Sequence, residues 1–197
     1  MCNNPATLRC SGCRCEPLYC GKPCQVADWK VHKILCKARP SFEEPPTPSS
    51  RRAILFSITG EIAFFWATTE MKTDPEGIYE SPTGLEAYFG GKRPSIQMYH
   101  SNSVRGRDLK EIIDLRHNDI FLLDGSEKNL AVCRVVPEMD DGGAVWRAPL
   151  VALKHTHSYR DERRMFINST PGYGHMDMGD LREVVDYLTN WKRTTMH

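Results

Sequence analysis

The sequence predicts a small cysteine-rich module followed by an α+β domain with antiparallel hairpins and a C-terminal helix. Seven of the eight cysteines lie before position 37, a density that an ordinary core does not explain. The stretch PSFEEPPTPSS has the composition of an extended linker. Beyond it, strand-length apolar runs are separated by turn residues, and a helical repeat ends the chain. We therefore expect a module at residues 1–39, a linker at 40–50 and a domain at 51–197.

Composition and charge exclude several classes of protein. With 40% hydrophobic and 26% charged residues, the chain has the make-up of a soluble globular protein. It contains no apolar run of the roughly 20 residues that a membrane-spanning helix needs, and no secretory signal, so we expect an intracellular protein, nuclear or cytoplasmic. The formal net charge of +1 argues against specific nucleic-acid binding. In a reducing compartment, clustered cysteines indicate metal binding rather than disulfides.

The cysteines of the module have the spacing of zinc ligands. They follow the pattern C-x7-C-x2-C-x6-C-x3-C-x7-H-x3-C, which ends at Cys36. Cys10 and Cys13 form one knuckle, and Cys20 and Cys24 form another. Zinc takes four ligands, mostly thiolate and imidazole, and such short spacings let neighbouring ligands reach one ion.

A helix is expected at the end of this pattern. The segment from Gln25 to Cys36 contains neither glycine nor proline and suits about three helical turns. At about 100° per residue, His32 and Cys36 lie one turn apart on one face, as two ligands of a single ion must. A helix that starts near Cys24 also favours the thiolate form of that residue.

The run YCGKPCQVADWKVHKILC, which ends at Cys36, resembles a MYND-type zinc finger, and the likeness covers residues 2–36. The resemblance implies a small zinc-stabilised finger of ligated knuckles plus a helix, with two zinc ions bound in an interleaved way. Carried over by position, it places one ion on Cys10, Cys13, His32 and Cys36. It assigns the other ion to Cys2, Cys20 and Cys24.

The second of these sites is one ligand short of the family pattern, which opens with C-x2-C. Cys2 matches the second of those cysteines, so the first would fall before Met1. A start assigned too late, or a trimmed chain, is the explanation we favour. The alternatives are that Cys15, water or the terminal amine completes the site, that the site is weak or empty, or that the ligands pair differently. For Cys15 itself, in the loop between Cys13 and Cys20, we expect an exposed spare thiol.

The zinc is expected to be structural, because a four-ligand site rich in thiolates leaves no open position for water or substrate. Its role is to replace a hydrophobic core that about 35 residues cannot build. The resemblance also implies a protein-interaction module that binds proline-rich peptides, with Gln25 and Trp29 at the peptide-contacting positions. The alternative for Trp29 is packing within the small core of the finger.

Two hairpins are expected in residues 51–197. The first joins Ala53–Ile58 to Glu61–Thr68. The second joins Ile120–Leu123 to Leu130–Val136 around the turn DGSEKN. Pro149–His155 predicts a further strand.

Helices are expected in three places in the same region. Short ones suit Leu85–Phe89 and Asp108–Leu115. The clearest follows Asp177, a capping residue with Asp180 three positions on. Its apolar stripe is formed by Leu181, Val184, Val185, Leu188 and Trp191.

The sequence offers no catalytic set, and we expect no enzymatic activity from the finger. Some MYND fingers interrupt SET-type methyltransferases, but the asparagine-histidine-serine stretch and the tyrosine motif of that domain are missing. Cys133 is expected in the core. The fragments VRGRDLKEIIDLRHNDIFLLDGS and WRAPLVALK resemble a region that follows N-terminal MYND fingers in many uncharacterised fungal proteins and carries no assigned activity.

Two hypotheses follow. The first is a zinc-binding adaptor whose finger recruits a proline-rich segment of another protein, with no membrane or specific nucleic-acid partner. The second is an enzyme or ligand-binding protein with its activity in residues 51–197 and the finger as a targeting module.

Overall fold

The computed structural model describes residues 4–15, 17–75, 77–140, 145–156 and 172–195. Its helices are α1 (Lys22–Cys36), α2 (Leu130–Val135) and α3 (Met178–Thr195), with short 3-10 helices at Arg39–Phe42, Leu85–Phe89 and Pro137–Asp140. Its strands are β1 (Ser50–Phe56), β2 (Ile62–Asp74), β3 (Gly77–Thr83), β4 (Ser95–Asn102), β5 (Arg107–His117), β6 (Leu150–His155) and β7 (Tyr173–Gly174). No helix in the described ranges is long and apolar enough to cross a membrane.

The described strands form one antiparallel sheet in the order β3-β2-β1-β6-β5-β4, and β7 pairs with β6. The first predicted hairpin is confirmed as β1 and β2. Their pairing begins next to the turn, where Phe56 lies opposite Ile62, and ends where Ser50 lies opposite Thr68. Gly60 in its turn has a φ of 96°, a conformation that favours glycine. The strand predicted at Pro149–His155 is confirmed as β6, which lies between β1 and β5.

The second predicted hairpin is wrong. Residues 120–123 form a turn, and the run predicted as its second strand contains the short helix α2. Asn129 caps this helix by accepting a hydrogen bond from the backbone N–H of Val132 at 2.9 Å. Its side-chain amide also donates to the carbonyls of Phe56 and Ala148, at 2.9 and 2.8 Å. This buried cap fixes the start of α2 against two neighbouring segments, which outweighs the strand propensity of the valines.

The helix predicted at Asp108–Leu115 is also wrong, because this segment lies within β5. Residues 112–116 are all buried, and alternate side chains of such a strand point to opposite faces of the sheet. Ile113 and Leu115 contribute to one apolar core, and Asp114 between them is also fully buried. The predicted helical segment at Leu85–Phe89 is confirmed, as a 3-10 helix.

The sheet is apolar on both faces. The larger core lies between the sheet and the helices and includes Ile54, Phe56, Phe64, Leu115, Leu150 and Ala152. A smaller core covers the opposite face and contains Ala53, Ala67, Leu85, Phe89, Val151, Leu153 and Tyr173. Cys133 is buried in the larger core, which confirms its predicted position.

Helix α3 closes the larger core, as its apolar stripe predicts. Leu181, Val184 and Leu188 are fully buried. The predicted cap is confirmed, because the carboxylate of Asp177 accepts from the N–H of Met178 and Asp180 accepts from the N–H of Asp177, both at 2.7 Å.

The linker and the finger are packed onto the domain, in contrast to the expectation of two separate units. Helix α1 lies against α3, and Val31 and Leu35 of α1 belong to the same apolar cluster as the sheet. Phe42, in the predicted linker, lies with its ring centroid 5.6 Å from that of Trp66. The stripe of α1 that contains Val31 and Leu35, next to its zinc ligands, is therefore apolar because it completes a shared core.

Candidate metal centre

Backbone hydrogen bonds hold the loop that contains Cys10 and Cys13, the first knuckle of the finger, in place. Leu8 and Tyr19 form an antiparallel bridge that closes the loop between them. Within this loop, the N–H of Arg14 donates to the carbonyl of Cys10 at 2.9 Å. A Cβ atom on Gly12 would lie 3.3 Å from Sγ of Cys36, so a side chain at this position would push this predicted zinc ligand by a few tenths of an ångström.

Four predicted ligands lie together at this knuckle. The Sγ atoms of the three cysteines and a ring nitrogen of the histidine are all within 4.8 Å of one another in the group Cys10, Cys13, His32 and Cys36. Helix α1 supplies the last two, one helical turn apart. In the ranges that the structure describes, this is the one group of three or more such side chains able to hold a metal ion.

The distances between these atoms suit zinc. Sγ of Cys10 and Sγ of Cys36 are 3.8 Å apart, and Sγ of Cys13 is 3.4 Å from Nε2 of His32. A tetrahedral ion with bonds of about 2.3 Å to sulfur and about 2.0 Å to nitrogen gives ligand separations of roughly 3.8 and 3.5 Å. Three thiolates and one imidazole form a closed structural zinc site.

The electrostatics of the cluster favour the metal-binding forms of His32 and Cys10 and oppose that of Cys36. Burial lowers the pKa of His32, so its ring is neutral at pH 7 and can offer a lone pair. Burial opposes the thiolate form of Cys10, but the backbone N–H groups of Cys13 and Gly12 outweigh it and the pKa of Cys10 is lowered. Burial, with the hydrogen bond to Cys10, raises the pKa of Cys36 to about 12. Zinc binding must therefore displace a proton from Cys36.

A second layer of side chains orients His32. The hydroxyl of Tyr19 lies 3.1 Å from Nδ1 of His32 and donates to Oδ2 of Asp28 at 2.8 Å. With Nδ1 held in this way, Nε2 is directed to the metal position. The other carboxylate oxygen of Asp28 lies 3.9 Å from a guanidinium nitrogen of Arg182 on α3, which in turn binds Asp186.

The second predicted zinc site is described only in part. Sγ of Cys20 and Sγ of Cys24 are 3.2 Å apart where α1 begins, and Cys24 lies in its first turn. The third predicted ligand, Cys2, lies outside the described residues. The structure thus brings together the Cys20–Cys24 knuckle, and the assignment of Cys2 to it stays a prediction.

Cys15 differs from the expectation of an exposed spare thiol. Its side chain is buried in the larger core, and its Sγ lies 2.9 Å from Sγ of Cys13. Burial raises the pKa of Cys15, and the hydrogen bond to Cys13 and the charge of Asp177 act in the same direction. Cys15 therefore lies next to the first site and the start of α3. Within the described residues, it forms no group of metal ligands with Cys20 and Cys24.

The two predicted peptide-binding residues lie on α1. Trp29 is 47% exposed and its indole stacks on the imidazole of His32, with ring centroids 5.8 Å apart and planes at 26°. Gln25, one turn earlier, is half-buried and accepts a hydrogen bond from Lys22 at 3.2 Å. The indole thus lies against a ligand of the metal centre, and nearly half of it is exposed to solvent.

The geometry defines a candidate zinc site of three cysteines and one histidine in a small finger. Residues 1–36 match the MYND finger family, so the chain carries a MYND finger, a zinc-binding protein-interaction module. Over 55 residues the chain is 40% identical to SET domain-containing protein 14 of Caenorhabditis elegans. That match covers 28% of this chain and 12% of the nematode protein. The chain matches no solved structure.

Proposed function

We propose that this protein is an adaptor whose finger binds a proline-rich segment of another protein through Gln25 and Trp29. The rest of the chain holds the finger in place and has no catalytic role in this proposal. The adaptor acts inside the cell, in the nucleus or the cytoplasm, where cysteines stay reduced and available to zinc.

The observation that carries the proposal is the exposure of Trp29. A tryptophan that served only the core of the finger would be covered, whereas nearly half of this side chain is open to solvent. Its stacking on His32 fixes the orientation of the ring before any partner arrives, which lowers the entropy cost of binding. A proline ring can pack on the exposed part of the indole. The entropy cost of docking is small, because a proline-rich peptide is already extended.

Gln25 supplies the polar part of the same surface. It lies four residues before Trp29 on α1, so the two side chains are neighbours one turn apart. Its amide can both donate to and accept from the backbone of an extended peptide. A polyproline backbone has carbonyls that its own structure leaves unbonded, and the amide offers them a donor.

The test is peptide binding to the full chain, measured by calorimetry with proline-rich peptides. Trp29→Ala should abolish binding while zinc content, measured by native mass spectrometry, stays unchanged. Leu123→Ala is the matched control, because Leu123 is an 88% exposed apolar side chain outside the finger. Equal binding by wild type and Trp29→Ala, with zinc retained, would refute the proposal.

We further propose that two zinc ions bind, the second of them at Cys2, Cys20 and Cys24 with one more ligand. Native mass spectrometry should show two ions per chain, and Cys20→Ser should remove one of them. Cys10→Ser should remove the other. A single ion that is lost in Cys10→Ser and kept in Cys20→Ser would refute the second site.

A second candidate function is ligand binding in a charged cleft that the finger shares with the domain. The cleft has a volume of about 1060 Å³ and is lined by seven cations and five carboxylates, with Arg9 and Arg14 contributed by the finger and Lys110 by the sheet. Lys154 forms ion pairs with Glu111 and Asp180, so the excess of positive charge that suits a small anionic ligand lies at Arg9, Arg14 and Lys110. A thermal-shift titration with inorganic phosphate and dicarboxylates tests it: stabilisation in wild type that Arg14→Gln loses would favour this candidate.

A further inference from the structure

The outer face of α1 carries an unusual set of charges. Four exposed lysines lie on the same side of the helix as Trp29, together with Val26, which is 61% exposed. At about 100° per residue, all of these positions and Gln25 fall within an arc of roughly 140° on one side of the helix. The exposed lysines are Lys22, Lys30, Lys33 and Lys37.

Within the described residues, these lysines form no ion pairs. Lys22 donates to the neutral amide of Gln25, and no described carboxylate forms an ion pair with any of the four. The one carboxylate on α1, Asp28, is 2% exposed and points inward to Tyr19 and Arg182. The face that presents Trp29 is therefore purely cationic over the length of the helix.

We propose that the proline-rich ligand of the finger carries acidic residues next to its prolines, which pair with the lysines of α1. This inference rests on the proposed function and names the class of partner. Positively charged lysines on both sides of an aromatic side chain repel basic peptides and attract acidic ones. The apolar and aromatic side chains hold the prolines, and the charges select which proline-rich segment is bound.

The spacing along α1 fixes where the acidic residues lie. Lys33 and Lys37 are roughly 6 and 12 Å beyond Trp29 along the helix axis, at 1.5 Å per residue. An extended peptide advances about 3.1 Å per residue. The acidic residues are therefore expected within about four positions of the proline that packs on Trp29.

The chain contains a sequence of this kind, which provides a probe. Residues 41–50, SFEEPPTPSS, combine two glutamates with three prolines. Three synthetic decapeptides are compared by fluorescence anisotropy with the full zinc-loaded chain: this sequence, a version with both glutamates replaced by glutamine, and one with both replaced by lysine.

The glutamate peptide should bind about five- to tenfold more tightly than the glutamine peptide at low salt, and the lysine peptide most weakly. At about 0.5 M salt the difference should fall below about twofold, because exposed ion pairs are screened. Lys30→Glu/Lys33→Glu leaves two lysines and two glutamates on this face and should bring the three affinities within about twofold of one another, and Lys30→Gln/Lys33→Gln should reduce the preference without abolishing it. Lys92→Glu/Arg93→Glu changes the net charge equally at exposed positions outside the finger, and should leave the order unchanged.

The outcomes separate the two proposals. If the glutamate and glutamine peptides bind equally and Trp29→Ala abolishes both, the charge selection is refuted while the proline-binding function stands. If none of the three peptides binds, both the proposed binding of proline-rich segments and the charge selection are refuted. If Lys92→Glu/Arg93→Glu weakens binding as much as the α1 variant, the effect is one of net charge and the assignment to α1 is wrong.

Discussion

The hydroxyl of Tyr19 lies 3.1 Å from Nδ1 of His32 and connects a zinc ligand to the buried carboxylate of Asp28. Through Arg182, the same chain of contacts reaches α3. The orientation of one metal ligand thus depends on residues from the finger loop, from α1 and from the C-terminal helix.

Tyr19→Phe should weaken zinc binding by about 10- to 100-fold, because it removes the group that holds the imidazole in place. A chelator competition titration measures this affinity. Tyr79→Phe, on β3, is the control and should leave it unchanged. An unaltered affinity in Tyr19→Phe would mean that packing alone orients His32.

Acid should destabilise the finger. The pKa of His32 is lowered by burial, whereas an unfolded histidine titrates near about 6.5. Below about pH 6.5 the unfolded chain therefore takes up a proton that folded His32 does not, so the stability present above that pH is lost as the pH falls. Zinc affinity should fall in the same direction, since a proton competes for His32 and binding releases one from Cys36.

Urea unfolding of the zinc-loaded chain between about pH 5 and 8 measures this dependence, and zinc content at each pH identifies its cause. His32→Cys keeps four ligands but replaces the imidazole, which takes up a proton only below about pH 6.5, with a thiol that must lose a proton to bind zinc throughout this window, so its stability should depend more steeply on pH than that of the wild type between about pH 6.5 and 8. A wild-type profile that is flat from pH 5 to 8 would contradict the prediction.

Removing zinc should loosen α3 as well as the finger. Val31 and Leu35 of α1 are buried in the same apolar cluster as Leu181 and Leu188 of α3. If α1 unfolds without its metal, these α3 side chains become exposed to solvent. Hydrogen exchange after chelation should therefore speed up in α3, with β3 at the sheet edge as the internal reference. Unchanged exchange in α3 would show that the two parts fold independently, as the sequence alone suggested.

Asp114→Asn should destabilise the domain by about 3 kcal/mol, because it leaves the charge of Arg116 buried without its partner. The carboxylate of Asp114 is fully buried and accepts hydrogen bonds from Arg116 and from the hydroxyl of Tyr173, both at 2.8 Å. Burial opposes its charged form, but His155 and Arg116 outweigh this and its pKa is lowered. Chemical denaturation at pH 7 measures the loss. Asp119→Asn, at an exposed position, should change the stability by less than about 0.5 kcal/mol.

The finger was accessible to sequence reasoning because zinc ligands are chemically distinctive and their spacing is local. His32 and Cys36 could be placed on one face of a helix from periodicity alone. Tyr19 and Asp28 had no such signal, since their role depends on the fold of the loop around them. Cys15 was misjudged because it is covered by a helix more than 160 positions later in the chain.

The domain was harder to predict where local propensity and tertiary contacts disagree. The valines before and after Cys133 favour a strand, but the cap at Asn129 starts a helix there. Asp108–Leu115 contains charges at helical spacing, yet pairing with β4 and β6 makes it a strand. The C-terminal helix was predicted correctly because its cap and its apolar stripe agree.

The packing of α1 on α3 also decides how a bound partner is presented. Because Val31 and Leu35 are fixed in the core, α1 holds Trp29 at a constant direction relative to the sheet, so a protein bound by the finger would have a fixed orientation relative to the domain. The direction in which the finger presents Trp29 is therefore set by the core of the domain rather than by the linker.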